Sequence, residues 1–333
     1  MIEHNEVKER VVSGKVEDKE IKYEENIRPH NLGEFVGQDV LIENLKIFIQ
    51  AAKERGEPLE HILFYGPPGL GKTTLSMIIS NEIGANLHIT SGPAVERSAD
   101  LASILTSLQK NDVLFIDEMH RIKPNIEEIL YSAMEDGVLD IMIGKGPSAK
   151  SMRIDLEPFT LVGATTKLSS LSAPLRDRFG SIMRLDFYTN QNMKSIIERS
   201  AHILGVKIDG NAALELGTRA RATPRIANRL LRRVRDFAQV EKKEAVDTEF
   251  VRYALDRLLI DEYGLDNNDK NLLKIIVDKF NGGPVGITTL AASLAEEVAT
   301  IEDVYEPFLL QIGFIERTPR GRKITELGKK YLK

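Results

Sequence analysis

Apolar positions along this chain follow two rhythms in its first half. From Asp39 to Arg55 they recur at helical spacing, with Leu41, Leu45, Phe48 and Ile49 on one face. His61–Tyr65, Asp112–Asp117 and Pro158–Ala164 are short and apolar almost throughout, as strands buried on both faces are, and Leu87–Thr90 reads as a further short strand. Helical patterns at Thr74–Ser80, Ala99–Leu108 and Asn125–Glu135 separate them. Such alternation predicts an α/β domain, a parallel sheet flanked by helices on both faces. Asp140–Asp155 interrupts it and reads as a β-hairpin with a Gly/Pro/Ser tip, either packed on its own domain or offering Ile and Met to a partner. After about Asp186 the strands stop, and 190–204, 212–221 and 223–240 read as an all-α lid. A polar linker at 261–269 leads to helices at 271–280, 288–297 and 301–311. Two short strands then turn around Pro319-Arg320-Gly321, completing the winged-helix pattern. The expected domains are a flexible arm at 1–25, a large α/β domain at 26–186 with the hairpin inserted at 138–156, a helical lid at 187–260 and a winged helix at 261–333.

Composition narrows the chemistry. The 333 residues include no cysteine, which excludes disulfides, thiolate-bound zinc and thiol nucleophiles. No apolar run approaches the ~18 residues of a membrane span, and 1–25, rich in Glu and Lys, lacks the apolar stretch of a signal peptide. A cytoplasmic protein without a membrane partner is expected. The net charge of −5 argues against a uniformly basic DNA coat but leaves room for basic patches. Residues 219–235 hold seven arginines and no acid, and 317–333 hold seven basic residues against Glu326 alone. The first cluster reads as a solvated face or a DNA contact. The second falls on the wing and tail, where winged helices meet phosphate backbones.

Gly66-Pro67-Pro68-Gly69-Leu70-Gly71-Lys72-Thr73 fits the P-loop pattern G-x-x-x-x-G-K-[ST], in the strand–loop–helix setting that the motif requires. Gly69 and Gly71 let backbone wrap a triphosphate, Lys72 reaches its β- and γ-phosphates, and the Thr73 hydroxyl ligates Mg²⁺. Val113–Ile116 ends in Asp117 and Glu118, the first suited to hold Mg²⁺ and the second to polarise a water. Leu161–Ala164 ends in Thr165 and Thr166, whose hydroxyls serve either a turn or the γ-phosphate. Arg176 and Arg178, beside Pro174, form surface ion pairs or reach into a neighbouring subunit's nucleotide site. Arg225 lies in the first turn of a helix opened by Thr223-Pro224. A cation is mildly unfavourable there, so an anionic partner is expected, a triphosphate or a surface carboxylate.

Together these segments resemble the AAA+ ATPases, and among them the bacterial motors of Holliday-junction branch migration. The resemblance covers about residues 20–333 and rests on Ile27-Arg28-Pro29, Phe35-Val36-Gly37-Gln38, the P-loop through Thr74, and Phe115–Arg121. It continues through Met134-Glu135-Asp136-Gly137, Gly163–Thr166, Pro174–Gly180, Ala222–Arg225 and Gly313–Arg322. It implies that Ile27 and Arg28 lie against the adenine and nucleotide, that Thr74 joins Lys72 and Thr73 at the phosphates, and that Glu135, Asp136 and Gly137 face the neighbour's site. It makes Thr166 sensor 1, with Thr165 the adjacent candidate, Arg178 an arginine finger supplied in trans, Tyr188 a nucleotide contact, Arg225 sensor 2, and Arg317 and Arg322 DNA contacts. It further implies ATP and Mg²⁺ as cofactors and a homohexamer that translocates duplex arms in recombination and repair. Its implied partners are the junction-binding protein RuvA, docked on the hairpin, and the resolvase RuvC. Two other readings share the P-loop. One is a clamp-loader-type ATPase, disfavoured by the absence of cysteine and by the arginines of the wing. The other is an ATP-switched DNA-binding regulator, against which the full set Lys72, Asp117, Glu118 and Arg178 argues.

Overall fold

The structure, a computed structural model, describes residues 26–143 and 150–333. The expected arm at 1–25 and the expected hairpin tip at 144–149 lie outside the described residues. The chain forms two compact units, one spanning Arg28–Phe187 and the other Tyr188–Lys333 together with Ile27.

The first unit holds strands β1 (Ile62–Tyr65), β2 (Leu87–Ser91), β3 (Val113–Asp117), β4 (Val138–Ile143), β5 (Lys150–Asp155), β6 (Thr160–Thr165) and β7 (Ser181–Arg184). Its helices are α1 (Asp39–Arg55), α2 (Lys72–Ile83), α3 (Ser98–Ser107), α4 (Pro124–Glu135) and the short α5 (Ala173–Arg176). Five strands form one parallel sheet in the order β2-β3-β6-β1-β7. Leu63, Leu114, Ile116 and Leu161 meet Leu101 and Leu105 of α3 and Ile126 and Leu130 of α4. Strand alternation sends Ile62, Phe64, Val113, Phe115 and Val162 to the opposite face. All five are buried, and α2 packs against the sheet with α1 beside it. Because the strands are parallel, their carboxyl ends gather at one edge. Tyr65 lies opposite Thr165, and Asp117 opposite Ser91.

β4 and β5 pair antiparallel as the expected hairpin. Leu139 is buried in the core at its base, Arg153 forks onto Asp140 at 2.9 and 3.0 Å, and Met152 is exposed. β7 is absent from the pattern reading. Ser-Ile-Met-Arg is short and lies on the edge of the sheet with Ile182 exposed, so its strand character comes from register with β1 rather than from an apolar run.

The second unit opens with α6 (Asn190–Ile203), α7 (Gly210–Thr218), α8 (Pro224–Val240) and α9 (Thr248–Arg257). α7 starts two residues before the expected helix because Asp209 accepts the Asn211 and Ala212 N–H groups, both at 2.8 Å. It stops short of Arg221 and Ala222, which adopt left-handed backbone at φ 52°. α9 was not expected. Asp247 caps it through the Phe250 N–H at 2.8 Å, and it buries Phe250, Val251, Ala254 and Leu255.

The winged helix follows with α10 (Asn267–Phe280), α11 (Ile287–Leu294) and a helical run from Val298 that closes in α12 (Glu306–Gln311). The hairpin of β8 (Ile315–Thr318) and β9 (Gly321–Ile324) comes next, then a further helix, α13 (Glu326–Tyr331). Leu272, Leu273, Ile276, Leu290, Leu309 and Phe314 centre its core. Lid and winged helix are joined internally. Arg221, 2% exposed, pairs with the fully buried Asp269, donates through Nε to the Gly264 carbonyl at 2.8 Å, and lies 5.3 Å from the Phe308 ring centre. Gly264 sits at φ 76°, so close to Arg219 that a Cβ would lie 2.4 Å from that residue's carbonyl oxygen.

Candidate functional site

The turn from β1 into α2 is shaped by glycine. Gly66, Gly69 and Gly71 have φ of 145°, 81° and 104°. A Cβ on Gly66 would come within 2.5 Å of the Leu185 carbonyl oxygen. The buried Lys72 Nζ donates to the Gly66 and Pro67 carbonyls, both at 2.8 Å, which folds the loop around the ammonium. No side chain caps α2. Its first-turn N–H groups and the positive end of its dipole therefore face the loop, the arrangement that binds phosphate. Thr73 and Thr74 occupy that turn. In the same unit, Arg28 lies with Nη1 3.2 Å from the Met77 sulfur of α2.

At the end of β3, Glu118 takes left-handed backbone (φ 51°, ψ 41°), and its N–H donates to Asp117 Oδ1 at 2.8 Å. Arg121 Nη1 stands 3.5 Å from the Glu118 carboxylate. One strand over, the buried Thr165 hydroxyl meets His120 Nδ1 at 3.1 Å and accepts the Lys167 N–H at 3.0 Å. Thr166 makes no side-chain hydrogen bond among the described residues, which leaves its hydroxyl available. His120 and Arg121 lie in the Phe115–Arg121 motif, and the sequence alone assigns them no role. Their signal is position alone, two and three residues beyond Glu118.

Arg178 lies elsewhere. Its Nη2 donates to Glu135 Oε2 at 2.5 Å, its Nη1 donates to the Pro174 carbonyl at 2.7 Å, and its guanidinium sits 4.7 Å from the Tyr131 ring centre. The Tyr131 hydroxyl donates to Glu127 Oε2 at 2.9 Å and lies 2.8 Å from Ser172 Oγ. Burial pushes this hydroxyl's pKa up, which keeps it a donor. Arg178 also lines a cavity of about 470 Å³ with Leu59, His61, Phe159 and Gly180. Those residues immediately precede β1, β6 and β7, so the cavity opens at the amino edge of the sheet, opposite the P-loop. Burial pushes the His61 pKa down, and its Nδ1 accepts the Leu161 N–H at 2.9 Å. Asp136 ends α4 and Gly137 turns at φ 66°, beside Glu135.

The second unit holds the remaining nucleotide candidates. Ile27 is buried, and its carbonyl accepts from Arg199 Nη2 at 2.5 Å. Tyr188 is buried and donates its N–H to the Ala222 carbonyl at 3.1 Å, just before Thr223, Pro224 and Arg225 open α8. The arginine run is partly internal, with Arg233 exposed and Arg225, Arg232 and Arg235 half-buried. Arg219, Arg221 and Arg229 are buried, and Arg219 pairs with Glu215 at 2.6 Å, which counts against a DNA-facing patch. On the wing, Arg317 and Arg322 both turn onto Glu306. Each forks across its two oxygens at 2.8–2.9 Å.

Comparison with known proteins follows the same division. The family model described as the P-loop domain of the Holliday junction DNA helicase RuvB matches residues 27–185. The RuvB AAA lid domain matches 188–261, and the RuvB C-terminal winged helix domain matches 262–333. The solved Thermotoga maritima RuvB Holliday junction branch migration motor is 50% identical, with a TM-score of 0.85, over 92% of this chain and 98% of that one. Two single-substitution variants of that protein match over the same shares, one at 49% identity and TM-score 0.85, the other at 50% and 0.86. Phosphate loop, lid and arginine-bearing wing are thus each matched, in order, by the corresponding part of one family, and the chain belongs to the RuvB family of P-loop ATPases.

Proposed function

We propose that this protein is an ATP-driven motor that draws duplex arms through a Holliday junction, assembled as a homohexamer and acting with RuvA at the junction and with RuvC at resolution. The observation that carries this reading is the opposition of Arg178 and Lys72. Lys72 follows the carboxyl end of β1, whereas Arg178 lines the cavity at the amino edge of the same sheet. The strands are four to six residues long, so roughly 13–20 Å separates the edges. Arg178 is out of reach of its own subunit's phosphates and suits a neighbour's, which is the role of a finger in trans.

The loop fits a triphosphate. Its glycines open the backbone, α2 is uncapped, and Lys72 can exchange two carbonyls for phosphate oxygens. Thr73 and Asp117 are hard oxygen donors of the kind Mg²⁺ takes; they would hold the ion, which would offset negative charge on the phosphates. Glu118 orients the attacking water and accepts its proton. Thr166 holds that water or the γ-phosphate. Ile27, Arg28 and Tyr188 bind the base side, and Glu135–Gly137 face the adjoining site. Arg225, as sensor 2, belongs to the unit that carries the winged helix, so its contact with the γ-phosphate is passed toward DNA. The β4–β5 hairpin is the docking site for RuvA. A cytoplasmic location accords with a chromosomal substrate.

The test is ATP-dependent dissociation of a synthetic four-way junction, with and without RuvA, using Lys72→Ala as the blank. Dissociation stimulated by RuvA is expected. Hydrolysis of ATP that leaves the junction intact would overturn the motor reading in favour of a clamp-loader-type ATPase or an ATP-switched DNA-binding regulator.

A further inference from the structure

Glu306 opens α12 beneath the wing and is fully buried. It accepts four hydrogen bonds from two guanidiniums, Nε and Nη2 of Arg317 at 2.8 and 2.9 Å and Nε and Nη2 of Arg322 at 2.9 Å each. Arg322 adds a longer contact to Glu302 at 3.4 Å. The two arginines face each other across the β8–β9 ladder. Like charges directly opposite in a two-stranded ribbon repel, and without an anion between them the side chains would splay. The backbone at Arg322 is fixed independently, by paired 2.8 Å hydrogen bonds with Val285.

A purely structural role accounts for Arg322, whose side chain is 14% exposed, but poorly for Arg317 at 57%. The buried Glu306 carboxylate needs a cation, but the Arg322 fork already pairs both its oxygens, so a second fork from the exposed Arg317 goes beyond that need. What the double fork does achieve is geometric. Each guanidinium carries five N–H donors, and the fork commits the Nε/Nη2 edge to Glu306 while leaving Nη1 uncommitted to it. Two planar cations are thereby held side by side on the hairpin, each with donors to spare for a phosphate oxygen.

We propose that Glu306 is a positioning residue for DNA: it orients Arg317 and Arg322 so that together they grip the phosphate backbone. This rests on the reading of those two arginines as phosphate contacts. Charge counting predicts the opposite sign, since removing an anion beside a phosphate-binding surface tightens DNA binding and steepens its salt dependence.

The experiment is fluorescence anisotropy of the full-length protein on a duplex, with a non-hydrolysable ATP analogue, across a sodium chloride series. Thermal unfolding is followed alongside. Glu306→Gln is expected to weaken binding roughly tenfold, the weight of one charge-assisted hydrogen bond, and to reduce the salt slope by about one. Arg317→Lys keeps the charge but cannot fork, and it should weaken binding similarly. The double variant should lose less than the sum of the two single losses, because both changes act on the Arg317 guanidinium, while Glu306 acts through Arg322 as well. Glu306→Gln binding as tightly as wild type or tighter, Arg317→Lys binding normally, or additive losses would each overturn the proposal. If Glu306→Gln lacks a thermal transition, the half-exposed Arg317→Lys decides. Arg317→Ala with Arg322→Ala separates the two layers. Normal binding there removes the phosphate-contact reading and this proposal with it. Weakened binding there, with Glu306→Gln and Arg317→Lys unaffected, removes the role of Glu306 alone.

Discussion

Glu118 stands in left-handed backbone, a conformation that costs a residue other than glycine about 1–3 kcal/mol and collects at working sites. Its side chain is half-exposed and only loosely paired with Arg121, which suits the proposed role of turning toward a water. Glu118→Gln should bind ATP and assemble while losing roughly 10²–10⁴ in turnover. Steady-state hydrolysis beside nucleotide binding checks this, and near-normal turnover would remove Glu118 as the base. Glu306 shows the reverse economy of exposure. Burial pushes its pKa up, but the forks from Arg317 and Arg322 outweigh burial and hold it below the ordinary glutamate value. A depressed carboxylate stabilises the fold above its unfolded pKa, about 4.3, and loses that contribution as pH falls through its folded value. Acid titration of thermal stability should therefore fall more steeply below about pH 4 in the wild type than in Glu306→Gln. Lys72, Asp117 and Glu118 were legible in the sequence because their motif spacing is fixed locally. The partners Glu135 and Glu306 were not assigned as partners, because no periodicity links Arg178 to a carboxylate 43 residues away or the wing to α12.

β1, β3 and β6 were readable because a strand buried on both faces must be apolar along its length, while β7 and α9 were not. β7 is an edge strand defined by its neighbour, and α9 is set by the Asp247 cap as much as by its apolar face. α7 ended earlier than its pattern because Arg221 and Ala222 break it from within. Gly66 in the loop between β1 and α2 and Gly56 at the end of α1 give a sharp contrast. Gly66→Ala drives a methyl to 2.5 Å from the Leu185 carbonyl oxygen at φ 145°, whereas Gly56→Ala at φ 68° meets nothing within 4 Å. The first should lose ATP binding and melt markedly lower. The second should cost about 1–2 kcal/mol, the penalty of left-handed backbone alone, and keep ATP binding. Equal behaviour in nucleotide titrations and thermal melts would deny the loop its tight seat.

Lid and winged helix share one unit through Arg221 and Asp269, both buried, with Gly264 pressed against Arg219. The sequence marked 261–269 as a polar linker. It did not reveal that the linker is sealed by an arginine from the preceding domain. Asp269→Ala leaves a buried guanidinium without its anion and should destabilise this unit by roughly 3–5 kcal/mol, seen as a lower melting transition. Arg178→Ala and Lys72→Ala should each be inactive alone, yet mixing the two should restore part of the hydrolysis, because one variant's arginine meets the other's intact loop. No recovery on mixing would argue that the finger acts within its own chain. The same opposition of arginine and P-loop has a topological consequence. If Arg178 serves a neighbour's site as proposed, a subunit with its donor at one edge and its receiver at the other is directional, and like subunits would join head to tail. In any open row, the first receiver has no donor and the last donor has nothing to serve. On that proposed reading, closure into a ring would remove both ends at once and leave every ATP site complete.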